Sequence, residues 1–469
     1  MSQPLRVCLI SEGSYPFITG GVSAWIQDLI AGLPEIQFVL FTISPTANQP
    51  LRYTLPSNVV EHQDFVLTEP PPQEESSDLD YQKLFGKILA AHTSQESSGR
   101  PWMDFLSQLP EGQSFDRSLI HQTTSWAFLE AQNKAKNPIY PFSDYFWAWK
   151  GTHGMMFSVL SAQLPQADVY HSVSTGFAGL VALAAKVRRK KPFLLTEHGL
   201  YHKEREMEIR KANFVQGYQR DMWIKIYGKI SELCYRGADL ATSLFEENRR
   251  HQLSMGVAPE RAVVVPNGID LERFSSVTRH KREGFHVGLV GRIVPIKDIK
   301  TFLVTCKILS EQYPDARFWA IGPTDEDEAY YQECVKLSES LGLVGKLEFT
   351  GRQKVLDYYA FLDVMLLTSV REAQPLVILE AWCAGVPVVS TRVGNVAEML
   401  DYDERFLAAS KDAAGLAQGV VWIREHPKES AQILDAFQRK TFNFYDKRLV
   451  LENFRKLYDR LQKEPLWQE

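Results

Sequence analysis

The sequence predicts an α/β protein built from two doubly wound, Rossmann-like domains that face a cleft. Three observations carry this. Short apolar runs alternate with helical periodicity in two successive series along the chain. A polar, basic tract at 271–284 separates the series. The 469 residues, 45% of them hydrophobic, can bury more than one core. The expected boundaries are residues 1–275 for the first domain, with insertions around 60–165, and 284–440 for the second. Residues 441–469 are expected to form a C-terminal helix that crosses back onto the first domain.

The first series opens at residues 5–10 (LRVCLI), a near-continuous apolar run of the kind found in buried parallel strands. The Gly/Pro-rich loop SEGSYPFITGGVS follows, then a helix over 24–33 with Ser23 as its N-cap, then a strand over 38–43. Between 44 and 165 the pattern weakens. Residues 63–77 and 94–100 are polar and read as loops, with a helical stretch at 81–92 between them. The segment YPFSDYFWAWKG (140–151) is densely aromatic, which suits core or interdomain packing better than a sugar platform. Alternation resumes with strands at 168–172, 192–196, 239–243 and 262–265 and helices at 176–187 and 213–235. The turn signal PNGID (266–270) and the tract 271–284, read as a linker, close the series.

The second series predicts strands at 286–290, 316–321, 346–349, 364–367 and 386–390. Helices are expected at 298–313, 326–341, 355–361 and 376–384, and an amphipathic helix at 447–462 ends the pattern.

Net charge is −5 with a pI near 6.2, which argues against nucleic acid or an anionic membrane as the main partner. The five cysteines (Cys8, Cys234, Cys306, Cys334, Cys383) are scattered and form no CxxC pair, pointing to a reducing cytoplasm. The N-terminus lacks a signal-peptide pattern. The apolar run 177–187 is too short to span a bilayer, so any membrane role would act through a partner.

Chemistry concentrates at the ends of expected strands, where open α/β sheets bind ligands. Glu372 lies in the loop after the strand 362–368, Pro375 suits the first turn of the next helix, and Glu380 sits inside that helix. The two carboxylates are separated by at most ~12 Å of helical rise, and an anion can occupy the helix start between them. Carboxylates accept hydrogen bonds from paired hydroxyls, so the arrangement can flank a diphosphate with a sugar on each side. In GLVGRIVPIKDIKTF (288–302), Gly291 allows close backbone approach, and Arg292 and Lys297 bracket a short loop before Asp298 starts a helix. Two cations on the same sheet edge form an anion clamp, and fixed positive charge stabilises a leaving diphosphate.

Gly20 and Gly21 form a backbone surface open to phosphate or sugar, or an ordinary flexible loop; the dinucleotide fingerprint is absent. In LLTEHGLYH (194–202), His198 follows a strand and can hydrogen-bond a sugar, although a lone histidine is more often structural. His171 and His202 are weaker candidates. The D-x-D pattern of metal-dependent sugar transferases occurs at 78–80, 325–327 and 401–403, none convincingly placed; residues 325–327 more simply start a helix. No metal site is expected.

Together GGVS, TEHG, GRIVPIKD and EAQPLVILEAWCAGVPVVST resemble the family 4 retaining glycosyltransferases of the GT-B fold, over nearly the whole chain. The opening SEGSYPFITGGVSAWIQDLI resembles more closely the cytoplasmic transferases of Pel exopolysaccharide synthesis. The resemblance implies that Arg292 and Lys297 bind the donor diphosphate and that Glu380 holds the ribose. It implies that Glu372 and His198 contact the transferred sugar and that Gly21 lies near the phosphates, with Gly20 among the substrate-binding positions. Gln374 and Leu376 count with the substrate-binding positions. It further implies retention by front-face attack, no cofactor or metal, a UDP-glucose or UDP-N-acetylhexosamine donor, and a polysaccharide acceptor. The cytoplasmic protein would dock on an inner-membrane Pel synthase assembly. One departure concerns the donor sugar: where many relatives carry glycine after the first glutamate, this chain has Ala373-Gln374-Pro375. The alternatives are a nucleotide-sugar epimerase or hydrolase on the same fold, a phosphorylase, or a non-catalytic nucleotide-sugar sensor. No motif marks the cofactor lysine that a phosphorylase needs.

Overall fold

The structure is a computed structural model that describes residues 4–68, 83–84, 86–87, 99–112, 123–136, 141–212 and 217–463. The chain divides into two compact units, one formed by Met1–Val265 with Leu451–Glu469 and the other by Pro266–Val450. The C-terminal helix Lys447–Lys463 therefore begins in the second unit and ends in the first.

The first unit holds a seven-stranded parallel sheet of order β3-β2-β1-β4-β5-β6-β7. Its strands are β1 (Arg6–Glu12), β2 (Gln37–Ser44), β3 (Val59–Val66), β4 (Val169–Ser172), β5 (Phe193–Glu197), β6 (Leu240–Ser243) and β7 (Ala262–Val264). The second unit holds a six-stranded parallel sheet of order β10-β9-β8-β11-β12-β13. It comprises β8 (Phe285–Val290), β9 (Ala316–Ile321), β10 (Leu347–Gly351), β11 (Val364–Leu367), β12 (Val388–Thr391) and β13 (Leu407–Ala408). Strand order reverses between β1 and β4 in one sheet and between β8 and β11 in the other. Such switch points leave a crevice beyond the carboxyl ends of the strands.

The central strands are buried on both faces, as continuous apolar runs require: all six residues of β8 and all four of β11 are buried. Helices cover the sheets. Trp382, fully buried on the helix Leu376–Cys383, stacks on Phe437 with ring centroids 4.7 Å apart. The aromatic segment 140–151 falls largely within the helix Phe142–Leu160, where Tyr145 and Trp149 enter the first unit's core. All five cysteines are buried and free.

Several expectations are corrected. Residues 63–66, read as loop, complete β3, an edge strand whose sequence VVEHQDFV lacks an apolar run because Glu61 and its neighbours meet solvent. Asp64 holds that edge, accepting from the hydroxyls of Thr42 and Ser44 at 2.7 Å each. Ser23 is not an N-cap. The helix starts at Gly21 with Gly20 at the cap, and Ser23 is buried in its first turn. The tract 271–284 is not wholly linker: Leu271–Ser275 is helical and buries Leu271 and Phe274, with Asp270 capping it through the Arg273 N–H at 3.0 Å. The polar helix Tyr201–Lys211 buries no residue and so had no apolar stripe to read. The expected helix at 81–92 and the D-x-D at 78–80 fall largely or wholly outside the described residues, as do 213–216.

A buried ion pair stitches the first sheet to its helices. The Lys186 ammonium donates to Asp239 Oδ1 at 2.6 Å and to the Gly237 carbonyl at 2.9 Å, while Asp239 Oδ2 accepts from the Phe193 N–H at 2.8 Å. Breaking one side of such a pair strands the other charge. Asp239→Ala should destabilise the first unit by about 3–5 kcal/mol, read as a lowered denaturation midpoint. The double variant Lys186→Met with Asp239→Leu should recover most of the loss.

Candidate functional site

In the second unit, the two switch-point strands deliver the predicted residues. The loop after β8 carries Arg292 and Lys297, and the loop after β11 carries Glu372. The loops are stitched by backbone: Thr368 Oγ1 donates to the Lys297 carbonyl at 2.7 Å, and the Val370 N–H donates to the Ile296 carbonyl at 2.9 Å. Across this seam the Lys297 ammonium meets Glu372 Oε1 at 2.6 Å, with both side chains under one-fifth exposed. Ser369, fully buried, donates to the same oxygen at 2.7 Å. Glu372 is thus held through Oε1 by a cation and a hydroxyl.

Its backbone is equally constrained. Gly394 adopts φ +51°, and a Cβ there would lie 2.3 Å from the carbonyl oxygens of Glu372 and Ala373. The Asn395 N–H donates to the Ala373 carbonyl at 3.0 Å. The loop after β12 therefore presses on the Glu372 loop at a place where only glycine fits.

Arg292 is exposed and pairs with the equally exposed Glu326, a contact of little energetic weight. Pro375 stands at the N-cap of the helix Leu376–Cys383, one residue earlier than expected, and no side chain caps that helix start. Leu376 and Glu380 are half-buried on the helix. Burial pushes the Glu380 carboxyl up to about 7, against the opposing pull of Arg273 and a hydrogen bond from Tyr359. Gln374 is buried, and its amide is fully engaged with one peptide unit: Oε1 accepts from the Asn267 N–H at 2.8 Å and Nε2 donates to the Asn267 carbonyl at 3.3 Å. It ties the Glu372 loop to the PNGID turn.

In the first unit, Gly20 and Gly21 follow β1 and open a 12-residue helix that no side chain caps. A Cβ at either position would meet nothing within 4 Å, so internal packing does not demand glycine there. His198 follows β5, half-buried, with the Trp25 ring 4.5 Å away at 70°. The weaker histidine candidates have structural partners. His171 lies inside β4, fully buried, hydrogen-bonded to Tyr458 Oη at 2.7 Å and Thr196 Oγ1 at 2.8 Å. Burial holds its imidazole neutral, near pKa 3. His202 faces His251 Nε2 to Nε2 at 3.2 Å, and burial lowers it to about 4.

Sequence reasoning passed over Glu197, beside His198. It is 1% exposed and accepts from Tyr235 Oη, Gln252 Nε2 (3.2 Å), Thr175 Oγ1 (3.3 Å) and the Tyr201 N–H (3.4 Å). A carboxylate closing an apolar strand (FLLTE) was the available signal. Ser369, three residues before Glu372, and Trp25, four after Gly21, were also missed.

The acidic D-x-D positions have other work. Asp327 caps the helix Glu328–Ser340, Asp401 pairs with Lys440 and Asp403 with Arg405. Among the described residues, no helix is long and apolar enough to cross a membrane.

Comparison with known proteins bears on family and fold. The model for glycosyl transferases group 1 matches residues 284–426, the span that carries Arg292, Lys297, Glu372 and Glu380. The chain is similar to D-inositol 3-phosphate glycosyltransferase of Streptomyces coelicolor, at 23% identity over 62% of this chain and 69% of the relative. It is also similar to the Escherichia coli UDP-Gal:alpha-D-GlcNAc-diphosphoundecaprenol alpha-1,3-galactosyltransferase, at 26% over 54% and 65% respectively. The chain thus spans about two thirds of the length of these curated relatives. Among solved structures, Anabaena HepE in complex with UDP superposes with a TM-score of 0.61 at 14% identity, over 97% of this chain and all of that one. By class, then, this is a two-domain α/β protein of the GT-B architecture, whose residues 284–426 match the glycosyl transferases group 1 model. The model described as domain of unknown function DUF3492 matches residues 5–260, more than half of the chain, and the chain belongs to that family.

Glu197 makes the first unit's stability depend on pH. Burial raises its carboxyl from 4.5 to about 7. The folded state then binds more protons than the unfolded state between those values, so this contribution is present at low pH and lost as pH rises through 7. Glu197→Gln should flatten that slope in urea denaturation between pH 4.5 and 7.

Proposed function

We propose that the chain is a retaining glycosyltransferase that transfers a hexosyl unit from UDP-glucose or a UDP-N-acetylhexosamine to a growing exopolysaccharide. The observation that carries this reading is the Lys297–Glu372 pair, which joins the two switch-point loops at 2.6 Å. A cation and a hydroxyl-accepting carboxylate side by side suit the junction between a phosphate and a sugar. The uncapped start of the helix Leu376–Cys383 adds backbone N–H groups for the same anion.

In this reading Lys297 and Arg292 hold the diphosphate, Glu380 accepts from the ribose hydroxyls, and Glu372 Oε2 accepts from the transferred sugar. His198 contacts that sugar, and the helix start at Gly20 and Gly21 lies near the phosphates. The bond from the anomeric carbon to the β-phosphate oxygen breaks, and its electrons stay on the phosphate. The acceptor hydroxyl oxygen bonds to the same face of the carbon, and its proton passes to the departing phosphate oxygen. Lysine and arginine stabilise the growing charge, so no metal is needed. Support for the nucleotide comes from the UDP in the name of the E. coli relative and in the HepE complex. The opening motif supports a role like that of PelF, a cytoplasmic transferase of Pel synthesis acting with inner-membrane partners.

Lys297→Ala should weaken UDP binding, measured by calorimetry, and abolish transfer. Glu372→Ala should lower turnover at least about 100-fold while changing UDP affinity little, because UDP lacks the hexose. A panel of UDP-, GDP- and ADP-sugars, assayed with and without EDTA, tests the donor; transfer or slow hydrolysis confined to a GDP- or ADP-sugar, or lost with EDTA, would overturn the reading. Because Glu380 titrates near 7, UDP affinity should rise with pH through that value and level off above it. Glu380→Gln should remove the dependence.

A further inference from the structure

Beneath His198 lies a cluster that joins the first strand-helix turn to the far end of the chain. Trp25 stands one helical turn after Gly21, on the same face of its helix. Its ring meets three others edge to face: His198 at 4.5 Å and 70°, Phe454 at 5.2 Å and 70°, and His171 at 6.1 Å and 89°. Phe454 belongs to the C-terminal helix, is 1% exposed and stacks on His171 at 6.0 Å.

The floor under Trp25 is rigid. Tyr458, also on the C-terminal helix and fully buried, is hydrogen-bonded to His171 Nδ1 at 2.7 Å. His171 Nε2 meets Thr196 Oγ1 at 2.8 Å, and the Thr242 hydroxyl donates to the same Thr196 oxygen at 2.8 Å. Thr196 is two residues before His198. The imidazole of His198 is therefore bracketed from its own strand and from the Trp25 face, and both supports rest on the C-terminal helix.

We propose that Trp25 is a positioning residue for His198, and that the C-terminal helix acts on that imidazole through Phe454 and Trp25. Edge-to-face contact fixes a ring's orientation as well as its place. The inference rests on the reading in which His198 contacts the transferred sugar. A misplacement of about 1 Å there costs catalysis without touching nucleotide binding, which the second unit's lysine and carboxylates would provide.

The test is a series of full-length variants: Trp25→Leu, Trp25→Phe and Phe454→Ala. Trp25→Leu should lower kcat about 10- to 100-fold and displace the pH profile of kcat, with UDP affinity by calorimetry within about two-fold of the wild type. Trp25→Phe should restore most of kcat, and Phe454→Ala should fall between. Wild-type kcat and pH profile in Trp25→Leu would overturn the proposal, as would equal losses of kcat and UDP affinity in Trp25→Phe. If the wild-type protein transfers no sugar from any donor, the proposed function fails instead. Positioning is then read from a crystal structure of Trp25→Leu, where an unmoved His198 ring would overturn it and a rotated one would sustain it.

Discussion

The ion pair of Lys297 with Glu372 is the contact on which the second unit's site depends, because a half-buried charge must keep a partner. Neither loop could hold its residue alone. Lys297 lies in a short helical turn after β8, Glu372 in an irregular segment after β11, and each borrows rigidity from the other through the Thr368 and Val370 bonds. The loop after β12 contributes only a glycine and an amide, yet its close approach at Gly394 sets where the Glu372 backbone can run. Gln374 completes the frame by clamping the Asn267 peptide. Four stretches distant in sequence thus converge on one carboxylate. The topology makes this possible, since β8 and β11 are neighbours at the switch point and β12 is next in line.

That convergence explains what the sequence made legible. Strands buried on both faces are rich in apolar residues, so β1, β2, β8 and β11 stand out as runs, and a candidate ligand site is expected at their carboxyl ends. Arg292, Lys297 and Glu372 are visible because they are charged residues in the loops that follow such runs. β3 escaped because an edge strand has no need of an apolar run. The helix Tyr201–Lys211 escaped because none of its residues is fully buried and no apolar stripe runs along it. Ser23 misled because a serine before an apolar stripe is a common cap, while here a glycine pair starts the helix earlier and leaves its N–H groups uncapped.

Residues that act through others left weaker traces. Trp25 meets Phe454 across almost the full length of the chain, and His171 meets Tyr458 from 287 residues away, and no local period records such pairings. Gln374 reads as a departure from a glycine pattern in the loop after Glu372; only the structure gives its amide a peptide to hold. Glu197 was legible in principle, since a carboxylate closing an apolar strand demands partners, but which four donors would supply them is a tertiary fact.

Glu197 and Glu380 show how the same upward shift serves different ends. Both carboxyls are pushed up to about 7 by loss of water. Glu197 is closed on every side by donors from the strand-end loops and three helices, with no cation among them, so its charge is held by dipoles and its role is to fix the turn that carries His198. Glu380 is half-buried, with the exposed Arg273 and the Tyr359 hydroxyl as its neighbouring polar groups. Its acceptor capacity is far from filled, which leaves it able to take hydroxyls from outside the chain. The same desolvation therefore accompanies a closed anchor in one case and an open acceptor in the other. What separates the anchor from the open acceptor is how many donors the fold has already placed around the carboxylate.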